Sequence, residues 1–433
     1  MNQQSRIDNI TNAEKGNKKY FRRIRVRDYL FGQAVYNLGD YPEKISASPT
    51  EYDRKLIKKM AENGVKLIQL HEEWNDPVRF HGGDKFHAVD PQGMKDFISL
   101  CHENGIKVIA YASSGFFQET DPDYKEEFSK SKEQLISHFF KYRKGSHSSA
   151  SWREYIIPHC LGILDEYDFD GLFNDIGYDR GDKFEEWYDP HVEDVLCQIY
   201  SEVKKRGGIY KVHCDCNNPP PCKDKIYDYV WVGECVDHFT PGLGKDWHQY
   251  VVPCLDRRYI DATMDTYMAY TVPFMQFPLL KIGRPLMGKN GNVEGVTYYG
   301  GGEQEFYRKV EKYMEEHPDG PYVYSLWSPI PDDPNEFDIW AKYQKLYAPM
   351  VTENSLCYIE LRECDEIVSA LEEKIYASMF VNEETYLVVS NLTDKPYTLQ
   401  LKDNWLDRMN NVSGNEFTLQ PEKVYFFKKT ENG

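Results

Sequence analysis

Along most of the chain, short apolar runs alternate with stretches whose apolar residues recur at helical spacing. "YLFGQAVYNLG" (29–39) is an apolar run that ends in a Gly loop. "SPTEYDRKLIKKMAENG" follows it, with Ser48 or Thr50 as N-cap and Gly64 as the stop. "VKLIQLHEEW" is followed in the same way by "DPQGMKDFISLCHENG", and "IKVIAYASSGFF" by "SASWREYIIPHCLGILDEYD", where Pro158 predicts a kink or a first turn. "YDFDGLFNDIGYD" (167–179) precedes "DPHVEDVLCQIYSEVKKRGG", and "IYKVHCDC" and "YDYVWVGECV" continue the series. Runs rich in Val, Ile, Leu, Tyr and Phe with little alternation suit strands buried on both faces. Their regular exchange with helices is the signature of parallel β/α units.

Six strand-like segments are in place by residue 236. Residues 257–280 read as a long loop with a short helix, or as part of a seventh unit. Strands seven and eight are expected at "GVTYYGGG" (295–302) and "PYVYSLWS" (321–328), with helices at 303–317 and 335–351. The expected fold is therefore α/β, a (β/α)8 TIM barrel over residues 29–352. A doubly wound open sheet usually shows a Gly-rich phosphate turn after its first strand, and "NLGDYP" is not one. After residue 354 the helices give way to short strands such as "KIYASMFV", "TYLVVSNLT" and "FTLQPEKVYFFKK", which predict a small C-terminal antiparallel β-sandwich at 353–433. Residues 1–28 are polar, carry no apolar signal core, and are expected to form a disordered or loosely attached leader.

Composition narrows the function. A formal charge of -18 argues against nucleic acid and anionic membrane as partners, because both require clustered cations. No stretch approaches the roughly 18 apolar residues of a membrane helix. Aromatic residues make up 15% of the chain, which suits either a large aromatic core or a surface that stacks on sugar rings. The 10 cysteines are scattered, so a disulfide framework is the wrong reading for a chain this long. Cys101, Cys160 and Cys197 read as buried thiols on apolar helix faces. "HCDCNNPPPC" clusters His213 with three cysteines, but its spacing matches no zinc pattern and it reads equally as a strand entering a Pro-rich loop. No metal and no cofactor is assigned.

In a (β/α)8 barrel the C-terminal strand ends line the active site. Here those ends read "HEEWND", "YASSGFF", "FNDIGYDR", "HCDCNN", "GECVDH" and "LWSPIPDD", whereas the opposite ends begin with "NGVK", "NGIK" and "GGIY", which is turn chemistry. Acids, amides and aromatics thus crowd one end. Paired carboxylates across a pocket are what glycoside hydrolysis needs. Asp175 is the candidate nucleophile and Glu234 the candidate general acid/base, with Asp215, Asp237 and Asp265 in reserve. Asn174, Tyr111 and Arg180 are candidate donors that keep Asp175 ionised. Glu73 and Asp76 are candidates for sugar hydroxyls, and Trp74, Trp231 and Trp327 for ring stacking. Each also has a plain structural reading, as a strand-end ion pair or a core ring.

"WREYIIPHCLGILDEYDFDGLFNDIGYD" resembles the helix-four to strand-four segment of (β/α)8 glycoside hydrolases of the α-galactosidase and endo-α-N-acetylgalactosaminidase type. The positions that carry the likeness are Trp152, Arg153, Tyr155, Asp170, Gly171 and Asp175. The resemblance implies that Asp175 is the nucleophile; Glu234 is placed by topology alone. The expected activity is retaining hydrolysis of a neutral glycan or oligosaccharide, with carbohydrate as the partner. A metal-dependent hydrolase or isomerase on the same fold, and a non-catalytic carbohydrate-binding barrel, are the alternatives.

Overall fold

A computed structural model describes residues 3–17, 20–26, 29–38, 46–71, 74–75, 83–129, 142–176, 191–213, 226–232, 240–242, 250–253, 262–284, 312, 316, 335–351, 356–361 and 365–430. Helix α1 (Gln3–Gly16) and strand β1 (Tyr20–Val26) lead into a parallel sheet. Its strands are β2 (Gln33–Asn37), β3 (Leu67–Gln69) and β4 (Lys107–Ser113). After a small antiparallel pair, β5 (Phe116–Gln118) and β6 (Tyr142–Lys144), it continues through β7 (Gly171–Asp175), β8 (Ile209–His213), β9 (Tyr229–Val232), β10 (Tyr250–Pro253) and β11 (Leu280–Gly283). Leaving out the separate β5–β6 pair, the strands from β2 to β10 pair in chain order, and β11 pairs with β2, Leu280 opposite Ala34 and Gly283 opposite Asn37. An eighth strand lying beside the first is what a barrel requires; a doubly wound sheet reverses its strand order instead.

The first six barrel strands lie where the apolar runs place them. The last two do not. β10 and β11 are four residues each, and β11 sits at the end of a stretch that reads as loop. Strands this short, one closed by Pro253, leave no periodic signal. The expected strands at 295–302 and 321–328 lie outside the described residues.

Helix starts follow local chemistry. Thr50, not Ser48, caps α2 (Glu51–Glu62) in a reciprocal capping box with Asp53. Asp90 caps α3 (Pro91–Glu103) and Ser149 caps α4 (Ala150–Glu166). Pro158 lies in the middle of α4, which continues through it as one helix. Further helices are α5 (Val192–Lys205), α6 (Met264–Thr271) and α7 (Glu336–Tyr347). Cys101 and Cys160 are buried thiols, and burial pushes Cys160 up to about 12; Cys197 is exposed, contrary to expectation. No helix among the described residues is long and apolar enough to cross a membrane.

The barrel is fastened where β11 meets β2. Asp53 is fully buried and accepts Tyr36 Oη at 2.6 Å and Arg284 Nη2 at 2.8 Å. Arg284, just beyond β11, also donates to the Leu38 and Ser48 carbonyls. Burial alone raises the Asp53 carboxyl, but hydrogen bonds from Arg284, Tyr36 and Thr50 outweigh it and hold the group below its ordinary value. A second device recurs at strand entries. Asp170, before β7, accepts the Val108 amide of β4 at 2.8 Å, and Asp228, before β9, accepts the Tyr210 amide of β8 at 2.9 Å.

The C-terminal part is one antiparallel sheet of β12 (Leu356–Leu361), β13 (Ile375–Val381), β14 (Thr385–Asn391), β15 (Tyr397–Asp407), β16 (Val412–Leu419) and β17 (Lys423–Lys429). Its order is β1-β12-β13-β14-β17-β15-β16. Met379, Leu387, Val389, Leu399, Trp405 and Phe427 make its own core, while Phe380, Tyr386, Val388 and Phe426 on the other face join the barrel core. The leader is not loosely attached. β1 pairs with β12 along its length, Ala13 of α1 is buried in the sheet core, and Asn9 Nδ2 donates to the Glu383 carbonyl at 2.7 Å. Backbone pairing and side-chain hydrogen bonds hold it, and neither leaves a trace in hydropathy.

Candidate active site

Side chains alternate along a strand, so Phe173 and Asp175 share one face of β7 and Asn174 takes the other. Register sets the neighbours: Asp175 lies opposite Ser113 of β4 and His213 of β8. Tyr111, two residues before Ser113, donates its hydroxyl to Asp175 Oδ2 at 3.0 Å. On the other side His213 Nδ1 is 3.4 Å from Asp175 Oδ1. The two carboxylate oxygens therefore face different strands. Asp175 and His213 keep 16% and 19% side-chain exposure, which leaves both within reach of the barrel mouth.

Below them the barrel is aromatic and basic. The Trp231 ring is 4.7 Å from Phe173, 5.5 Å from His213 and 4.5 Å, edge-on, from His71. Lys211, fully buried, reaches Gln33 Oε1 at 3.2 Å and lies 6.0 Å over the Phe173 ring. Lys281 of β11 is also buried. Barrel interiors are usually filled by branched aliphatic side chains; two lysines and two histidines here are a departure.

His71 is buried, and burial, followed by repulsion from Lys281, His213 and Lys211, holds its imidazole well below the ordinary value against a smaller opposing pull from Asp175. His71 is thus neutral in the folded protein near neutral pH. The unfolded chain takes up a proton at His71 below about pH 6.5 while the native state does not, so stability falls as pH drops through that value. Denaturation midpoints measured from pH 7.5 to 5 are expected to decline, with a His71 contribution approaching about 1.4 kcal/mol per pH unit. The His71→Leu variant should lose that part of the slope; an unchanged slope would show that His71 titrates alike in both states.

The other candidates are placed as follows. Trp231 lies beside the Asp175 cluster. Asn174 does not: its amide donates to Ser114 Oγ at 2.8 Å and Tyr210 Oη at 2.6 Å, and its carbonyl oxygen accepts the Ser114 amide, all on the helix-facing side. Trp74 is a core residue whose indole N–H donates to the Tyr111 carbonyl at 3.0 Å, with its ring against Tyr167 and Phe169. Asp265 belongs to a structural tie, accepting from Tyr343 of α7 and pairing with Lys423 of β17 at 3.1 Å. Glu234, Glu73, Asp76, Arg180, Asp215, Asp237 and Trp327 lie outside the described residues, as do the three cysteines beside His213. Among the described residues no three His, Cys, Asp or Glu side chains come together as a metal site.

The residues that carry the family resemblance divide by role. Trp152 donates to the Ser114 carbonyl at 3.2 Å and occupies the space a Cβ on Gly145 would need, so it shapes the segments after β4. Arg153 donates to the His147 carbonyl at 2.6 Å, and Tyr155 to Asp123 at 2.9 Å. Gly171 has φ 153° and its missing Cβ would sit 1.8 Å from the Ile209 carbonyl, so only glycine fits. Asp170 and Gly171 thus build the entry of β7, and Asp175 alone faces the mouth. His213 was visible in the sequence only as a potential soft ligand; its shared face with Lys211 on β8 is the signal that places it beside Asp175.

No family model and no curated protein matches the chain. Solved structures do match. A putative α-amylase from Salmonella typhimurium aligns at 14% identity over 93% of this chain and 82% of that chain, with TM-score 0.57. An α-amylase from Geobacillus thermoleovorans complexed with acarbose aligns at 12% identity over 92% and 98%, with TM-score 0.54. A GH36 α-galactosidase from Geobacillus stearothermophilus in complex with 1-deoxygalactonojirimycin aligns at 11% identity over 92% of this chain and 55% of that one, with TM-score 0.52. At these identities the likeness is one of fold. It defines the chain as a (β/α)8 barrel followed by an antiparallel β domain.

Proposed function

We propose that the protein is a retaining glycoside hydrolase acting on a neutral glycan or oligosaccharide. The observation that carries this is Asp175 itself: a carboxylate at the C-terminal end of a barrel strand, half-buried, with Tyr111 and His213 against its two oxygens. The amylases and the α-galactosidase that share the fold support the class. The resemblance of residues 152–175 favours the α-galactosidase and endo-α-N-acetylgalactosaminidase type within it. On this reading residues 29–352 are the catalytic barrel, residues 353–433 an accessory β domain, and no cofactor is required.

Asp175 attacks the anomeric carbon while Glu234 protonates the leaving oxygen, which gives a glycosyl-enzyme ester. Glu234 then takes a proton from water as that water opens the ester. Retention needs carboxyl groups about 5–5.5 Å apart, against about 6.5–9.5 Å for inversion. Tyr111 leaves one lobe of Asp175 Oδ2 engaged, which orients the carboxylate without neutralising it.

Aryl glycosides of both anomers, screened sugar by sugar, test the class: turnover of one anomer with retained product configuration is expected. The Glu234→Gln variant is then expected to lose about 100-fold or more on poor leaving groups and much less on activated aryl groups, which need little protonation. Equal losses on both would remove Glu234 as the acid.

A further inference from the structure

We propose that a cavity of about 490 Å³ between α7 and the turn that follows β15 binds a small ligand through an oxyanion group, phosphate or carboxylate. It is a site apart from the barrel mouth. Asn63, which lines it, caps the C-terminus of α2 and leads into β3. Loops that run from a helix into a strand sit at the N-terminal face of a barrel, whereas Asp175 ends β7 at the opposite face.

The charges at this cavity do not balance. Asp338, Lys342, Lys345 and Leu346 recur at helical spacing, so α7 turns one face toward it. Asp338 is matched by Lys59, whose ammonium lies 3.0 Å away. Asp407, next to Arg408, is spent on its own turn: it accepts the Met409 amide at 2.9 Å and the Asn410 side chain at 2.6 Å. The field of Lys342 reaches Asp265, but that carboxylate pairs with Lys423 at 3.1 Å. Lys342, Lys345 and Arg408 therefore line the cavity with no carboxylate bonded to them among the described residues.

Arg408 gives the site its shape. Its Nη1 donates to the Leu346 carbonyl at 2.6 Å, and its guanidinium carbon lies 5.1 Å from the centroid of the Tyr386 ring. These contacts fix the plane of the group. They leave the Nε–Nη2 edge, the fork that meets a carboxylate or phosphate with two parallel hydrogen bonds. Burial pulls the guanidinium below its ordinary value, and only Tyr386 opposes the shift. A half-buried charge without a counter-charge is costly, and a bound oxyanion relieves that cost.

Cations near a helix C-terminus also complement its dipole. The bond to Leu346 uses one donor of Arg408 in that way. It does not account for Lys342, which stands more than a turn before the end of α7, where the dipole no longer acts. Ala341, Leu346 and Met409 supply an apolar wall, and the volume exceeds that of a bare phosphate, so the ligand carries a small organic body as well. The chain as a whole, at a formal charge of -18, repels anions, so saturable binding must come from these local cations.

The test is calorimetric titration of the full chain with glucose 6-phosphate, with glucuronate, and with glucose as the neutral control. Saturable binding of at least one of the two anions is expected, and the tighter one tells phosphate from carboxylate. Lys342→Met and Lys345→Met alter exposed positions, and each is expected to weaken that binding about threefold. Arg408→Met is expected to weaken it about tenfold or more. Arg408→Lys keeps the charge without the fork and should fall between Arg408→Met and the native protein. If Arg408→Met fails to fold, the double variant of Lys342→Met with Lys345→Met carries the comparison, with about a tenfold loss expected.

No saturable binding of either anion would overturn the proposal. So would glucose binding as tightly as the anions, or anion affinity unchanged in the folded variants. The titration involves no turnover, so its outcome leaves the role of Asp175 untouched, and loss of the glycosidase reading would leave this site in place.

Discussion

Replacing Asp175 with asparagine is expected to lower turnover by about three orders of magnitude or more, on the order of 4 kcal/mol of barrier, while the protein folds as before. The amide has the shape of the carboxylate, and Tyr111 Oη can still donate to its oxygen at the position it now reaches at 3.0 Å. What is lost is the negative charge that attacks the anomeric carbon. Substrate binding should change little, so the loss should fall on kcat and on kcat/KM alike. Small anionic nucleophiles such as azide rescue Asp→Ala variants of a retaining enzyme by entering the vacated space, so Asp175→Ala with azide is expected to recover activity and to release a glycosyl azide. Near-native turnover in Asp175→Asn on a substrate cleaved by the native protein would remove the mechanism.

The second large effect concerns stability. Asp53→Ala is expected to cost about 3–5 kcal/mol, the range for breaking a buried ion pair and leaving its partner uncompensated. Asp53 is fully buried, and Arg284 beside it keeps only 12% side-chain exposure. The same change removes the acceptor for Tyr36 Oη and half of the α2 capping box. Because the folded carboxyl lies below its ordinary value, the stabilisation is present above about pH 4 and is lost as pH falls through the folded value. Urea denaturation of the native protein and of Asp53→Ala at pH 7 measures the difference. A loss below about 1 kcal/mol would place the pair among surface-like contacts and show that β11 is held to β2 by its backbone ladder alone.

The sequence announces the barrel through its period. Strands such as "QAVYN" and "GLFND" are buried nearly throughout, as unalternating apolar runs imply. It conceals β10 and β11 because four residues carry no period, and β11 is recognised only by the ladder it forms with β2. The attachment of α1 and β1 is hidden for a different reason: pairing with a strand more than three hundred residues away is a long-range property that local polarity does not encode.

The candidate site is legible in part. Strand-end position brings Asp175, Tyr111 and Trp231 to one end of the barrel. Asn174 fails on a rule already available in the sequence, since a neighbour of Asp175 on the same strand must point to the opposite face. Trp74 fails because a large ring at a strand end is drawn equally well behind the strand, against Tyr167 and Phe169. The burial of Lys211 goes unseen because it stands in a run, "IYKVH", whose polar members look like interruptions of a strand until the barrel closes around them.

The most direct test of the central claim is covalent trapping. An activated 2-deoxy-2-fluoro glycoside of the sugar and anomer that the native protein cleaves fastest is expected to inactivate it. One fluoroglycosyl unit should then be found by peptide mass spectrometry as an ester on Asp175. An adduct on any other acid, or full inactivation with the Asp175 peptide unmodified, would contradict the assignment of Asp175 as the nucleophile.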